Sequence, residues 1–147
     1  FRSYYLNQAL KVSGLGDQFL DNLQIWRDQM ALGLTTWAEM PEPSRSDCHA
    51  WGASPNIEFY RILLGIDSDA PGFRKIRIAP SLGKLKEVSG TIPHPLGSVT
   101  AAYKLNERGE GTARLVLPEG TTGIFIWDGK EIPLKPGEQV ISLSSCH

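Results

Sequence analysis

Gly65-Ile66-Asp67-Ser68-Asp69-Ala70-Pro71-Gly72-Phe73 is where one hydrophobic period stops and another begins. Upstream, Phe19, Leu23, Trp26 and Met30 recur at spacings of four, three and four, which predicts one face of a helix from near Asp17 to Gly33. Tyr5, Leu6, Ala9 and Leu10 predict a helix before Gly14. Phe59, Tyr60, Leu63 and Leu64 predict a third, after Pro55 and stopped by Gly65. Helix, short turn, helix is an antiparallel pairing. Downstream the period becomes two. Ile76 and Ile78 face one way and Arg77 the other, and Val99, Ala101, Tyr103 and Leu105 alternate with polar neighbours. Further strands are expected at 113–117, 123–127, 131–134 and 139–143, with Asp128-Gly129 as a hairpin turn. Short strands broken by Pro and Gly indicate an antiparallel β-sandwich. The expected layout is helices over 1–66, a linker over 67–72 rich in Asp, Ser, Pro and Gly, and strands over 73–147.

Composition narrows the partners. Of the 147 residues 41% are hydrophobic and 21% charged, with a formal net charge of −1. No apolar run approaches the ~20 residues of a membrane helix, so no membrane insertion is expected. Residues 1–66 carry five Lys/Arg against seven Asp/Glu, and the remainder ten against nine. Neither half has the basic face that a phosphate backbone requires, so no nucleic acid partner is expected. Three His and two Cys are scattered without zinc spacing, and no metal or other cofactor is expected. Cys48 and Cys146 are expected as a buried thiol and a terminal one rather than as a bridge. Nothing assigns a compartment.

The chemistry-bearing residues gather between Gly33 and Trp51: Glu39, Glu42 and Asp47 as carboxylates, Arg45 and His49 as polar partners, Trp37 and Trp51 as flat apolar rings. Trp faces pack on the apolar faces of pyranose rings, while carboxylates and imidazole serve hydroxyls and protons. An inert polar loop has the same composition. Cys48 and His49 are adjacent on an extended segment and point apart, which argues against a nucleophilic pair. Glu42, between Pro41 and Pro43, is held extended. Met30 and Met40 are expected to pack, His94 between Pro93 and Pro95 to lie on the surface, and Trp127 to sit half-buried at a strand end.

Thr35-Thr36-Trp37-Ala38-Glu39 followed by Arg45-Ser46-Asp47-Cys48-His49-Ala50-Trp51-Gly52-Ala53-Ser54-Pro55 resembles the end of the catalytic domain of bacterial α-L-rhamnosidases, glycoside hydrolase family 78. Gly65-Ile66, Pro71-Gly72-Phe73, Ile76-Arg77-Ile78-Ala79-Pro80, Leu82-Gly83 and Val88-Ser89-Gly90-Thr91-Ile92-Pro93-His94-Pro95 resemble the segment that joins that family's helical barrel to its C-terminal β-domain. The likeness thins beyond about residue 105.

The resemblance implies an α+β multidomain fragment: the last helices of an (α/α)6 barrel followed by an antiparallel β-sandwich. It implies part of an inverting glycosidase that releases terminal α-L-rhamnose from glycosides or polysaccharides, so that the partner is carbohydrate. Inverting enzymes use two carboxyls roughly 6.5–9.5 Å apart, one acid and one base. Glu39 matches the family's general base, although Ala38 stands where better-known members have Trp directly before the Glu. Its general acid belongs to an earlier part of the barrel, so the fragment is expected to be inactive alone. His49 matches a sugar-binding His, and a neutral imidazole that both donates and accepts suits vicinal hydroxyls. Trp37 and Trp51 become stacking platforms or core residues. Arg45 and Asp47 contact hydroxyls or pin the loop by an ion pair, and Glu42 is the next carboxylate to consider.

Without barrel neighbours, Phe19, Leu23 and Trp26 are expected to stay partly uncovered, which favours self-association through exposed helix faces. Alternatives remain a non-catalytic carbohydrate-binding or structural module, with Trp127 as a platform, or a related barrel glycosidase such as a fucosidase.

Overall fold

The computed structural model describes residues 2–144, which fold as two compact units dividing between Phe59 and Tyr60. Among the described residues the first unit holds three helices: Arg2–Val12 (α1), Gln24–Ala31 (α2) and Pro55–Glu58 (α3). The long helix expected from Asp17 is broken into 3-10 turns at Gly16–Gln18 and Asp21–Leu23 before α2 begins. Gly, Asp and Asn are weak helix formers, and five of the residues from 14 to 22 are of these types. Gly33 ends α2 with φ 77°, as its position predicts. The Gln8 side chain on α1 donates to the buried Glu58 carboxylate, tying α1 to α3.

Two expectations for this unit fail. On α1 the covered residues are Asn7 and Leu10, while Tyr5 and Leu6 are exposed. Phe19, Leu23 and Trp26 are all buried. The loop after α2 folds back over them, the Trp26 indole N–H donating to the Gly52 carbonyl at 2.7 Å, and the Phe59 ring meets Phe19 edge-on at 5.4 Å. The exposed apolar surface is carried instead by Tyr5, Leu6, Val12, Met30, Leu32 and Ile57. Met30, expected to pack, is 64% exposed.

The second unit is a sandwich of two sheets, four-stranded among the described residues. One has the order β1-β2-β6-β7, from Ile66–Ser68, Lys75–Ile78, Thr122–Trp127 and Lys130–Leu134. The other has the order β3-β4-β5-β8, from Glu87–His94, Gly97–Leu105, Gly111–Leu117 and Gly137–Leu143. The stretch expected as a linker carries the end of β1 and the start of a 3-10 turn at Pro71–Phe73. Ile76, Ile78, Val99, Ala101, Tyr103, Ala113, Leu115 and Phe125 alternate into the core as their period predicts. Asp128 and Gly129, both with positive φ, make the β6–β7 turn.

The sandwich is not wholly antiparallel. β2 and β6 run parallel, Ile76 opposite Gly123 and Ile78 opposite Phe125, because the chain completes three strands of the other sheet before returning. Trp127 is half-buried, stacked on Phe125 at 6.4 Å with its indole nitrogen inside, which packs it into the sandwich rather than on its surface.

His94 is also not a surface residue. It is 8% exposed, Nδ1 accepts the Leu96 N–H at 3.1 Å, and Nε2 must therefore carry the proton donated to the Phe73 carbonyl at 2.8 Å. Cys48 is exposed and free rather than buried, and Cys146 lies outside the described residues. No described helix is long and apolar enough to cross a membrane.

Candidate functional site

The segment after α2 doubles back on itself. The Glu39 N–H donates to the Ser46 carbonyl at 2.9 Å, the His49 N–H to the Trp37 carbonyl at 2.8 Å, and the Thr36 hydroxyl to the Asp47 carbonyl at 2.5 Å. Residues 36–39 and 46–49 therefore pair in opposite directions, with Met40 to Arg45 as the tip. Two prolines, at 41 and 43, keep the tip from becoming helix. The tip is closed by short-range bonds, the Ser44 N–H to the Glu42 carboxylate at 3.1 Å and the Ser44 hydroxyl to the Ser46 carbonyl at 2.9 Å. That gives Glu42 a capping job on an exposed turn.

Beneath the pairing, Gln29 of α2 holds the Ala38 backbone from both sides: its Oε1 accepts the Ala38 N–H at 2.9 Å and its Nε2 faces the Ala38 carbonyl at 3.4 Å. Gln29 and Ala38 are both buried. Gly52, in the 3-10 turn Ala50–Ala53, lies so close to residues 37 and 38 that a Cβ there would stand 2.6 Å from the Trp37 Cβ.

Glu39 is the best-held carboxylate of the loop. Its side chain is 18% exposed and accepts from Arg45 at both oxygens, Nε to Oε2 at 2.5 Å and Nη2 to Oε1. The Arg45 hydrogen bonds lower the Glu39 pKa; partial burial opposes them, and the Arg45 charge with a smaller contribution from His49 adds to the lowering. Glu39 is thus kept ionised, while Arg45, itself raised by the pair, remains 79% exposed along its arm. Arg45 therefore spends its charge on Glu39, and the side chain of Asp47 is exposed.

Glu39 and Trp51 line one small hollow together with Ser3, Ile25, Trp26, Gln29, Ala38 and Gly52. Trp51 is 44% exposed, with the Tyr4 ring edge-on to it at 5.5 Å. Trp37 turns the other way, into an apolar cavity of about 360 Å³ shared with Leu23, Trp26, Met30, Pro55 and Phe59. The fold thus brings Glu39, Arg45 and Trp51 together and turns Trp37 into a separate cavity, while His49 is tied to the same paired strip through its backbone N–H on the Trp37 carbonyl. A fixed ionised carboxylate beside a half-exposed indole can accept a proton next to a flat apolar ring. Among the described residues no group of three His, Cys, Asp or Glu is placed to hold a metal ion.

Gln29 was not singled out by the sequence. Its signal was a polar residue three positions after Trp26 on a face whose other members, Leu23 and Trp26, are buried.

The fold has solved counterparts. An α-L-rhamnosidase from Aspergillus terreus matches with a TM-score of 0.83 at 19% identity, over 96% of this chain and 19% of its own. One from Dictyoglumus thermophilum gives 0.81 at 19% identity, over 96% and 20%. A Streptomyces avermitilis α-L-rhamnosidase, solved with L-rhamnose, gives 0.70 at 19% identity, over 81% and 15%. This chain thus spans a fifth or less of the length of these relatives, and at such identities the likeness is one of fold. No curated protein matches. The family described as the bacterial alpha-L-rhamnosidase C-terminal domain matches residues 65–139, half of the chain. The Ile66–Ser68 strand, the β2–β6 crossover and most of both sheets lie within that match, and the chain belongs to the bacterial α-L-rhamnosidase C-terminal domain family.

Proposed function

We propose that this chain is the C-terminal part of an inverting α-L-rhamnosidase, with Glu39 as the general base that deprotonates the attacking water. In this reading residues 1–66 supply the last helices of an (α/α)6 catalytic barrel, 67–72 lead out of it, and 73–147 form the C-terminal β-sandwich, which also takes in β1 at Ile66–Ser68. The general acid comes from earlier barrel helices, so the chain by itself is inactive. The substrate is a terminal α-L-rhamnosyl residue of a glycoside or polysaccharide. Trp51 offers the sugar an apolar face and His49 a donor and acceptor for its hydroxyls. Trp37 serves packing in the apolar cavity, and Asp47 contacts hydroxyls.

The observation that carries the reading is Glu39 itself, a largely covered carboxylate kept ionised by Arg45 and sharing a hollow with Trp51. A general base must be ionised at working pH. Arg45 covers both oxygens here, so it must yield one of them to water during turnover.

The test is Glu39→Gln in the full-length enzyme. Gln keeps the shape and loses the proton acceptor, so kcat should fall by ~10²–10⁴ with substrate binding largely retained. Azide, which needs no deprotonation, should restore part of the rate and give a β-glycosyl azide. Near-native kcat in Glu39→Gln would refute the assignment and move attention to Glu42.

A further inference from the structure

Gln29 makes an uncommon contact for a helix side chain. Its one amide group satisfies both backbone groups of a single residue, Ala38, accepting from the N–H at 2.9 Å and donating towards the carbonyl at 3.4 Å. A carboxamide carries its neutral donor and acceptor side by side in one plane, which matches the N–H and carbonyl of a single residue. The two groups belong to the peptide units on either side of the Ala38 Cα, and the second of these units carries the Glu39 nitrogen. That nitrogen donates onward to the Ser46 carbonyl at 2.9 Å. The backbone entering Glu39 is therefore held from below by Gln29 and from the side by Ser46. Gln29 is 5% and Ala38 4% exposed, so water is poorly placed to replace the amide. Gln29 and Glu39 also line the same small hollow.

We propose that Gln29 is a positioning residue for Glu39: through the Ala38 backbone it sets the direction of the carboxylate without touching the substrate. The proposal rests on Glu39 being the base.

Two substitutions in the full-length enzyme separate positioning from simple packing. Gln29→Met keeps the length and apolar stem but offers neither bond. Misplacing a reacting group by about 1 Å costs on the order of 10²-fold, so kcat should fall roughly 10- to 100-fold. KM should stay within about twofold, because the substrate contacts are untouched. Gln29→Glu retains the acceptor for the Ala38 N–H, so kcat at the pH plateau should fall less than in Gln29→Met. It also puts a second carboxylate beside Glu39, and like charges raise a carboxyl pKa, so the acid limb of the pH–rate profile should move to higher pH.

A purely structural role would lower the folded fraction and leave kcat per folded molecule where it is. A folded Gln29→Met enzyme with native kcat and acid limb would overturn the proposal. If Gln29→Met does not fold, Gln29→Glu decides, and a native kcat at its pH plateau overturns it. Glu39→Gln, measured alongside, keeps the two ideas apart. Near-native kcat there defeats both, whereas an impaired Glu39→Gln with native Gln29 variants defeats only the role of Gln29.

Discussion

Replacing Gly52 by Ala puts the architecture of the loop to a test whose sign is informative. Gly52 lies in a 3-10 turn and lacks the positive φ that marks so many other glycines of this chain. Backbone conformation therefore gives Ala no penalty. A compatible Gly→Ala change stabilises by ~0.4–1 kcal/mol, because the unfolded chain has less freedom to lose. Space says the opposite. The new Cβ would stand 2.6 Å from the Trp37 Cβ and 3.3 and 3.4 Å from the Trp37 and Ala38 carbonyl oxygens. A Cβ is fixed to its backbone and cannot rotate away. Restoring ordinary carbon–carbon contact means moving residues 37–38, or the turn, by about 1 Å. Forced insertion of a methyl into a packed site costs ~1–3 kcal/mol, more than the entropic gain, so the net change should be destabilising. Urea unfolding of the chain followed by far-ultraviolet circular dichroism reads it as a lowered midpoint with unchanged slope. The strip that moves leads into Glu39, so on the proposal that Glu39 is the base of a full-length enzyme kcat should fall there as well, by up to ~10²-fold. An unchanged or raised midpoint would refute the close approach of Gly52 to Trp37 and, with it, the described path of the loop.

Arg45→Ala removes the hydrogen bonds and the charge that hold Glu39 low, so the Glu39 pKa should rise towards its ordinary 4.5. A group with a depressed folded pKa contributes stability above its unfolded pKa and loses it as pH falls through the folded value. The wild-type chain should accordingly retain the Glu39 contribution into the pH range just below 4.5, and Arg45→Ala should not. A carboxyl-carbon NMR titration measures the shift, and an unmoved Glu39 midpoint would dismiss the ion pair. Tyr103→Phe probes the sandwich: the hydroxyl donates to the Leu64 carbonyl at 2.7 Å and burial keeps the phenol protonated far beyond its usual range. Orphaning that buried carbonyl should cost ~1–2 kcal/mol in urea unfolding, and a loss too small to measure would mean that the carbonyl is otherwise satisfied.

What the sequence disclosed and what it withheld divide along the range of the forces involved. Gly33 and Gly65 end helical segments because positive φ is a local demand, and Ile76 and Ile78 point inward because a pleat alternates whatever lies beside it. β3 escaped notice because Gly90 and Pro93 dilute its pattern. It lies at the edge of its sheet, the one place where a strand tolerates Pro. His94 looked like a solvated loop residue between two prolines, and the Phe73 carbonyl that buries it comes from 21 residues earlier in the chain. The parallel β2–β6 pair is set by topology, which no short window contains. In the loop, composition gathered Glu39, His49 and Trp51 with several others and only the resemblance suggested roles for them, since a polar loop is silent about which carboxylate an arginine will hold. Gln29 was missed because a lone amide in an amphipathic helix draws no attention until its partner, nine residues on, is seen.

The order of strands has a consequence for how the sandwich comes into being. The chain lays down β1 and β2, crosses to make β3 to β5, returns for β6 and β7, and crosses again for β8. Neither sheet is built from a continuous run of sequence, so each stays incomplete while strands of the other are laid down. A nascent chain that has reached Leu117 holds a three-stranded sheet whose inward residues, Val99, Ala101, Tyr103, Ala113 and Leu115, still lack Phe125 and Leu134 from across the core. The β2–β6 contact, between strands far apart along the chain, carries a large loop-closure cost and belongs to the slow class of folding events. Once made, it couples early and late strands into one cooperative unit. Cuts or insertions between β2 and β6 are therefore tolerable only at the turns, because every strand between them is needed to bring the two halves of the first sheet together.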